Sequence, residues 1–320
     1  MIHLHKVLPL KKILIGLVLL SFLGCGTSTN KAEEKIAVVV STLNNPWFVV
    51  LAEAAAERAR ALGYQATIFD SQNNTSKESE HFENLIAAGF SAIVFNPTDS
   101  EGSISNVKRA KNAGIPTFCM DREVNTLDAA TSQIISDSFT GCVELGEYFV
   151  RQLNKKGTYV ELLGLVGDNN TWNRSKGFHS VVDHFPKLKM VAQQSADFDR
   201  SKALEVMESI LQSNPDIDAV FCGNDAMAMG AYQALLAADK ANKVMVFGFD
   251  GAEDVLNSIQ DKKIKATVLQ SPKKIAQTAV ELADLYMNGK RDFNPKTPLA
   301  VTLITQDNIE RLTINTTKQP

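Results

Sequence analysis

From residue 35 to residue 304 the sequence alternates between short apolar runs and longer stretches with helical spacing. Few folds accept that rhythm. A brief β-branched run bounded by polar residues reads as a strand covered on both faces, and such strands belong to parallel sheets layered with helices. Ile36-Ala37-Val38-Val39-Val40 is the first such run. The stretch that follows it, 47–62, is alanine-rich with helical spacing. Asn45 before Pro46 supplies an N-cap with proline at the first helical position, and Gly63 ends the helix.

The pattern then repeats. Strands are predicted over 66–69, 92–95, 117–120 and 133–136, with helices over 77–88 and 102–113. A second series follows: helix 140–153, strand 159–163, helix 174–183, strand 190–194, helix 202–212, strand 219–222, helix 226–238 and strand 244–247. A short helix 253–259, strand 265–269, helix 272–288 and strand 299–304 complete the body. One open sheet does not comfortably hold so many strands. The series divides near Ser136 and Asp137 into two similar Rossmann-like α/β lobes, each a parallel sheet flanked by helices.

The first thirty residues are a separate object. Lys6, Lys11 and Lys12 form a basic start, and residues 13–23 are almost purely apolar. That run is too short to span a bilayer and suits the core of a signal peptide over residues 1–24. Phe22-Leu23-Gly24-Cys25 resembles the lipobox of a bacterial lipoprotein, although that motif prefers Leu where Phe22 stands. The resemblance implies lipidation of Cys25, a tether over 25–34, and a protein held at a membrane outside the cytoplasm. Loss of the three lysines takes the formal charge from −3 to −6, which argues against nucleic acid as a partner. Of the remaining cysteines, Cys119 and Cys222 fall in strand-like runs and read as small buried hydrophobes. No CxxC and no His/Cys spacing suits zinc, so neither metal nor cofactor is expected.

In open parallel sheets, ligands bind beyond the carboxyl ends of the strands. The residues predicted at those ends are Ser41, Asp121, Arg122, Asn224, Asp225, Asp250 and Gln270, with Asn45, Trp47, Phe48, Arg174 and Phe198 on helix or loop starts nearby. Carboxylates, guanidinium groups and amides are thus mixed with aromatic rings. A sugar needs both: its hydroxyls donate and accept at once, and its C–H faces pack on flat rings. The carboxylates of Asp121 and Asp250 balance the guanidinium groups of Arg122 and Arg174, so a neutral ligand is expected. Each residue also has a plainer role available, as cap, turn or core. Catalysis is disfavoured: the chain has no G-x-S-x-G, HExxH, P-loop or helix-opening G-x-G-x-x-G, and His81, His179 and His184 have no partner motif.

Longer motifs carry a resemblance over residues 35–304. They include Ser41-Thr42-Leu43-Asn44-Asn45-Pro46, Asp70-Ser71-Gln72-Asn73-Asn74, Asn96-Pro97-Thr98-Asp99-Ser100, Ala196-Asp197-Phe198-Asp199-Arg200 and Gly248-Phe249-Asp250-Gly251. In these the chain resembles the bacterial periplasmic D-ribose-binding proteins, type I sugar-binding components of ABC importers. The resemblance implies sugar contacts at Ser41, Asn45, Trp47, Phe48, Asp121, Arg122, Arg174, Phe198, Asn224, Phe249, Asp250 and Gln270. The rings would sandwich the sugar and the polar groups would hold its hydroxyls. Trp47 departs from the family's usual Phe and adds an N–H donor. The segment 167–173 departs from the usual small-residue loop, with Trp172 either near the cleft mouth or over a helix end. Also implied are a monomer, hand-over to an ABC permease, and three hinge crossings. These set lobes of 35–136 with 271–300 and of 137–270 with 301–320. A related sugar such as allose, or a receptor serving chemotaxis or a sensor kinase, shares the same features.

Overall fold

The structure, a computed structural model, describes residues 31–310 and the first two residues of the chain. The signal segment, Cys25 and the tether up to residue 30 lie outside the described residues.

Two six-stranded sheets organise the body. The first takes β1 (Lys35–Val40), β2 (Gln65–Asp70), β3 (Ala92–Phe95), β4 (Thr117–Met120), β5 (Ser132–Ser136) and β11 (Lys296–Leu299), in the order β11-β5-β4-β3-β1-β2. All its pairings are parallel. The second takes β6 (Gly157–Leu163), β7 (Leu188–Ser195), β8 (Ala219–Cys222), β9 (Met245–Asp250), β10 (Ala266–Leu269) and β12 (Thr302–Thr305), in the order β12-β10-β9-β8-β6-β7. Only β12 runs antiparallel there, against β10.

Helices α1 (Pro46–Ala61), α2 (Thr75–Ala87), α3 (Ile104–Asn112) and α9 (Pro272–Met287) cover the first sheet. Helices α4 (Ser138–Gln152), α5 (Asn169–Val182), α6 (Arg200–Ser213), α7 (Asp225–Ala237) and α8 (Glu253–Gln260) belong with the second. Because both faces are covered, β3, β4 and β8 are buried along their whole length. Small residues bring helices close: Ala52, Ala55, Ala56 and Ala59 of α1 share a core with Ala276, Ala279 and Ala283 of α9. In the second lobe, rings fill the space between sheet and helices, and Phe178 stacks on Phe221 with centroids 4.2 Å apart. Cys119, Cys142 and Cys222 are buried free thiols, and burial pushes all three up, Cys142 to about 12.

The chain passes between the sheets three times: after β5, after β10, and between β11 and β12. The expected single strand over 299–304 is therefore two strands in different sheets. Leu299 pairs with Ser136, whereas Thr302 pairs with Leu269. Helix α5 also starts five residues before the predicted 174. Asp168 caps it by accepting the Asn170 N–H at 2.9 Å, and polar residues fill its first turn.

Candidate functional site

Strand ends and helix starts from both lobes converge on one cavity. The first lobe contributes Asn45, Trp47 and Phe48 from the start of α1, and Asp121 and Arg122 after β4. The second contributes Asp168, Asn170 and Arg174 from the start of α5, Phe198 before α6, Asn224 before α7, Asp250 at the end of β9 and Gln270 after β10. The charged members are nearly solvent-free: none of Asp121, Arg122, Asp168, Arg174 and Asp250 is more than 7% exposed.

Local geometry explains how each group is held. Asp121, Phe198 and Asp250 have φ of 66°, 60° and 132°, a backbone region that side chains avoid. Three such residues lining one cavity mark strain that surrounding structure must hold. Asn96 holds Asp121 by donating from Nδ2 to its Oδ2 at 3.2 Å and to the Met120 carbonyl at 3.1 Å. Ser41 in turn donates from Oγ to Asn96 Oδ1 at 2.7 Å. Gln270 donates to Asp250 Oδ1 at 2.8 Å and accepts from Ser136 Oγ at 2.6 Å, tying the site to two of the crossings. The Phe198 ring lies against Gly164, where any Cβ would sit 2.0 Å from it.

The two arginines are anchored differently. Arg174 donates to the Gly223 carbonyl at 2.7 Å and lies 3.7 Å from Asp250 Oδ1. Its guanidinium sits 3.8 Å from the centroid of the Phe249 ring and 5.5 Å from that of Phe198. Arg122 sits 4.9 Å from the centroid of Phe48, with Nε 2.6 Å from Asp168 Oδ2 across the cleft. That contact is an ion pair whose angle is poor for a hydrogen bond. Trp47 Nε1 and Arg174 Nε are buried with no acceptor in hydrogen-bond geometry. The Trp47 indole N–H nevertheless lies on the Asp121 side and opposes the rise in that carboxyl.

Ten of the twelve sequence-predicted residues line the cavity. Ser41 does not: it is fully buried behind Asn96 and supports Asp121 at one remove. Phe249 does not either. It is fully buried, and Arg174 lies over its ring, so it floors the arginine instead of facing the cavity. Asp225 turns away, accepting from Thr267 Oγ1 and the Ala252 N–H at 2.7 Å each. Trp172 covers the start of α5, donating to the Val166 carbonyl at 2.8 Å. Sequence reasoning missed Asp168 and Asn170. The signal for Asp168 was its capping potential, hidden by placing the helix start at Arg174.

Asp168 changes the expected charge balance to three carboxylates against two guanidinium groups. Burial pushes Asp121 up to about 6, with the charge of Asp168 adding to the rise and both arginines opposing it. Burial likewise raises Asp250 well above the usual carboxylate range, against Arg174. The cavity therefore has no surplus of positive charge for an anion. Among the described residues no cluster of His, Cys, Asp or Glu is arranged to hold a metal, and no helix is long and apolar enough to cross a membrane.

Two α/β lobes joined by three crossings, with a polar, ring-walled cavity between them, define a two-lobed solute-binding protein. The sequence model of the periplasmic binding protein domain matches residues 36–291, and the chain belongs to that family. It has the type I fold and is similar, over nearly its whole body, to sugar-binding components of ABC importers. It is 45% identical over 287 residues to a D-apiose import binding protein of Paraburkholderia graminis, covering 89% of this chain and 92% of the relative. It is 41% identical over 264 residues to a ribose import binding protein of Bacillus subtilis, covering 82% and 85%. Among solved structures, an ABC transporter solute binding protein from Bacillus halodurans with bound myo-inositol superposes with a TM-score of 0.84. That structure is 28% identical, with coverage of 89% and 99%.

Proposed function

We propose that the protein captures one neutral pentose in this cavity and delivers it to an ABC permease. D-ribose is the sugar implied by the motifs, and D-apiose stands beside it because of the relative from P. graminis. The observation that carries the reading is the mismatch of unused groups. Buried N–H donors on Trp47 and Arg174 lack acceptors, in a cavity they share with the carboxylates of Asp121 and Asp250. A hydroxyl accepts from the first kind and donates to the second, so one polyol satisfies both. An anion only accepts, and an apolar ligand does neither.

Capture works by differential contact. The open form leaves both sets of groups in water; a sugar touching both lobes favours the closed form. A sugar lacking one hydroxyl leaves a buried charged group unpaired, at a cost of about 1–3 kcal/mol. The sugar is bound and released unchanged by a monomer that Cys25 tethers to a membrane outside the cytoplasm. The test is a thermal-shift and calorimetry panel of D-ribose, D-apiose, D-allose, D-xylose, L-arabinose, D-galactose and D-glucose. A pentose should raise the melting temperature most, by mass action on the folded state. Indifference to every sugar would end the reading.

A further inference from the structure

Two loops join the lobes directly, through contacts made entirely by protein groups. The first lobe supplies residues 97–103 and the Asp121-Arg122 turn; the second supplies residues 164–170. Asp168 Oδ2 pairs with Arg122 Nε at 2.6 Å, and Asn170 donates from Nδ2 to the Asp121 carbonyl at 3.1 Å. The Ser100 N–H donates to the Gly167 carbonyl at 2.9 Å. The fit is close enough that a Cβ on Gly167 would sit 2.1 Å from Asp99 Oδ2.

The position of these loops gives them leverage. The crossings leave from β5, β10 and β11, at or next to the sheet edges β11-β5 and β12-β10. The three segments follow β3, β4 and β6, which stand three, two and four strands in from the outer strands β11 and β12. At about 4.8 Å per strand, the contacts lie roughly 10–20 Å from those outer strands. They must part early in any opening. Asp121, meanwhile, holds a left-handed φ with its carbonyl on Asn170.

We propose that Asp168 and Asn170 are positioning residues that clasp the lobes through Arg122 and Asp121, so that protein contacts supply part of closure and the sugar completes it. The proposal rests on the reading of the cavity as a sugar site. Its first consequence is that the free protein samples the closed form to a measurable extent. Its second is that apparent affinity depends on that fraction, since a sparsely populated competent state weakens binding in proportion. Asp168 also takes up the Nε edge of Arg122, which orients the rest of the guanidinium.

The experiment uses spin labels at Ser76→Cys on α2 and Glu205→Cys on α6, both exposed, in the full chain with Cys25→Ser. The native thiols at Cys119, Cys142 and Cys222 are buried and stay unlabelled in the folded protein. Inter-label distances are measured for the parent, Asp168→Asn and Asn170→Ala, each free and saturated with D-ribose or D-apiose. Asn caps a helix as well as Asp does, so Asp168→Asn removes the charge pair while keeping α5 capped. Urea unfolding confirms that each variant is folded. The free parent should show a short-distance component that both variants reduce by half or more. Sugar affinity should fall in proportion to that component, by twofold or more. Identical free distributions in parent and variants, or parent affinity in Asp168→Asn, would overturn the proposal. If no sugar shortens the distance in the parent, the sugar reading fails, while the free distributions still decide the clasp.

Discussion

Asp121→Asn should stabilise the free protein while destroying its affinity for sugar. The Asp121 carboxyl is pushed from 3.8 to about 6, mainly by burial and then by the neighbouring Asp168. A raised carboxyl means the folded state holds the proton more tightly than the unfolded state. Its contribution to stability is then fully present below about 3.8 and is lost as pH rises through about 6. At about 1.36 kcal/mol per pK unit, the shift amounts to roughly 3 kcal/mol of instability at pH 7.5. Asn has the same shape and no charge. Its amide oxygen can still accept from Asn96, whose Nδ2 now bonds Asp121 Oδ2. The variant should therefore melt roughly 5–10 °C above the parent at pH 7.5, for a chain of this size. The gap should close by pH 4, where the parent carboxyl is itself neutral. Calorimetry at pH 7.5 should show sugar binding weakened by tenfold or more, because an acceptor for two hydroxyl protons is gone. Equal melting temperatures at pH 7.5, or a gap that widens on acidification, would refute the electrostatic account of the site.

Two further outcomes are expected. His179 sits 2.9 Å from the buried Glu161 and 2.8 Å from Asp183, and the bond to Glu161 lifts it to about 9 against burial. Its stabilisation is complete below about 6.5 and fades as pH rises through about 9, so thermal melts should show a decline over that window that Glu161→Gln flattens. Phe249→Ala should cost about 3–5 kcal/mol in urea unfolding, as for other buried rings, and should also weaken sugar binding by removing the floor under Arg174. Unchanged affinity in a folded Phe249→Ala would show that the arginine needs no such floor.

Much of the site was legible because strand ends are local features. A β-branched run followed by Asp or Asn places that polar residue at the carboxyl edge whatever the rest of the chain does. Asp121, Asn224 and Asp250 were found that way, and all three line the cavity. Arg174 and Phe198 were gathered as helix or loop starts near those ends, and the resemblance in the motifs named them again. Phe249 was named by the resemblance, and alternation along β9 puts it and Asp250 on opposite sides. Asp250 faces the cavity, and Phe249 faces the core beneath Arg174. Asp168 escaped because a polar first turn carries no apolar periodicity.

What the amino-acid order settled by itself was the succession of strands and helices, the parallel class of sheet, and the polar chemistry gathered at the strand ends. These follow from side-chain period, capping and β-branching, all of which act within a few residues. Only the tertiary structure decided that Asp168 crosses the cleft to Arg122, and that three carboxylates meet two guanidinium groups. Those outcomes depend on how two separately folded sheets face one another, and contacts between residues far apart in the chain leave no periodic trace in it.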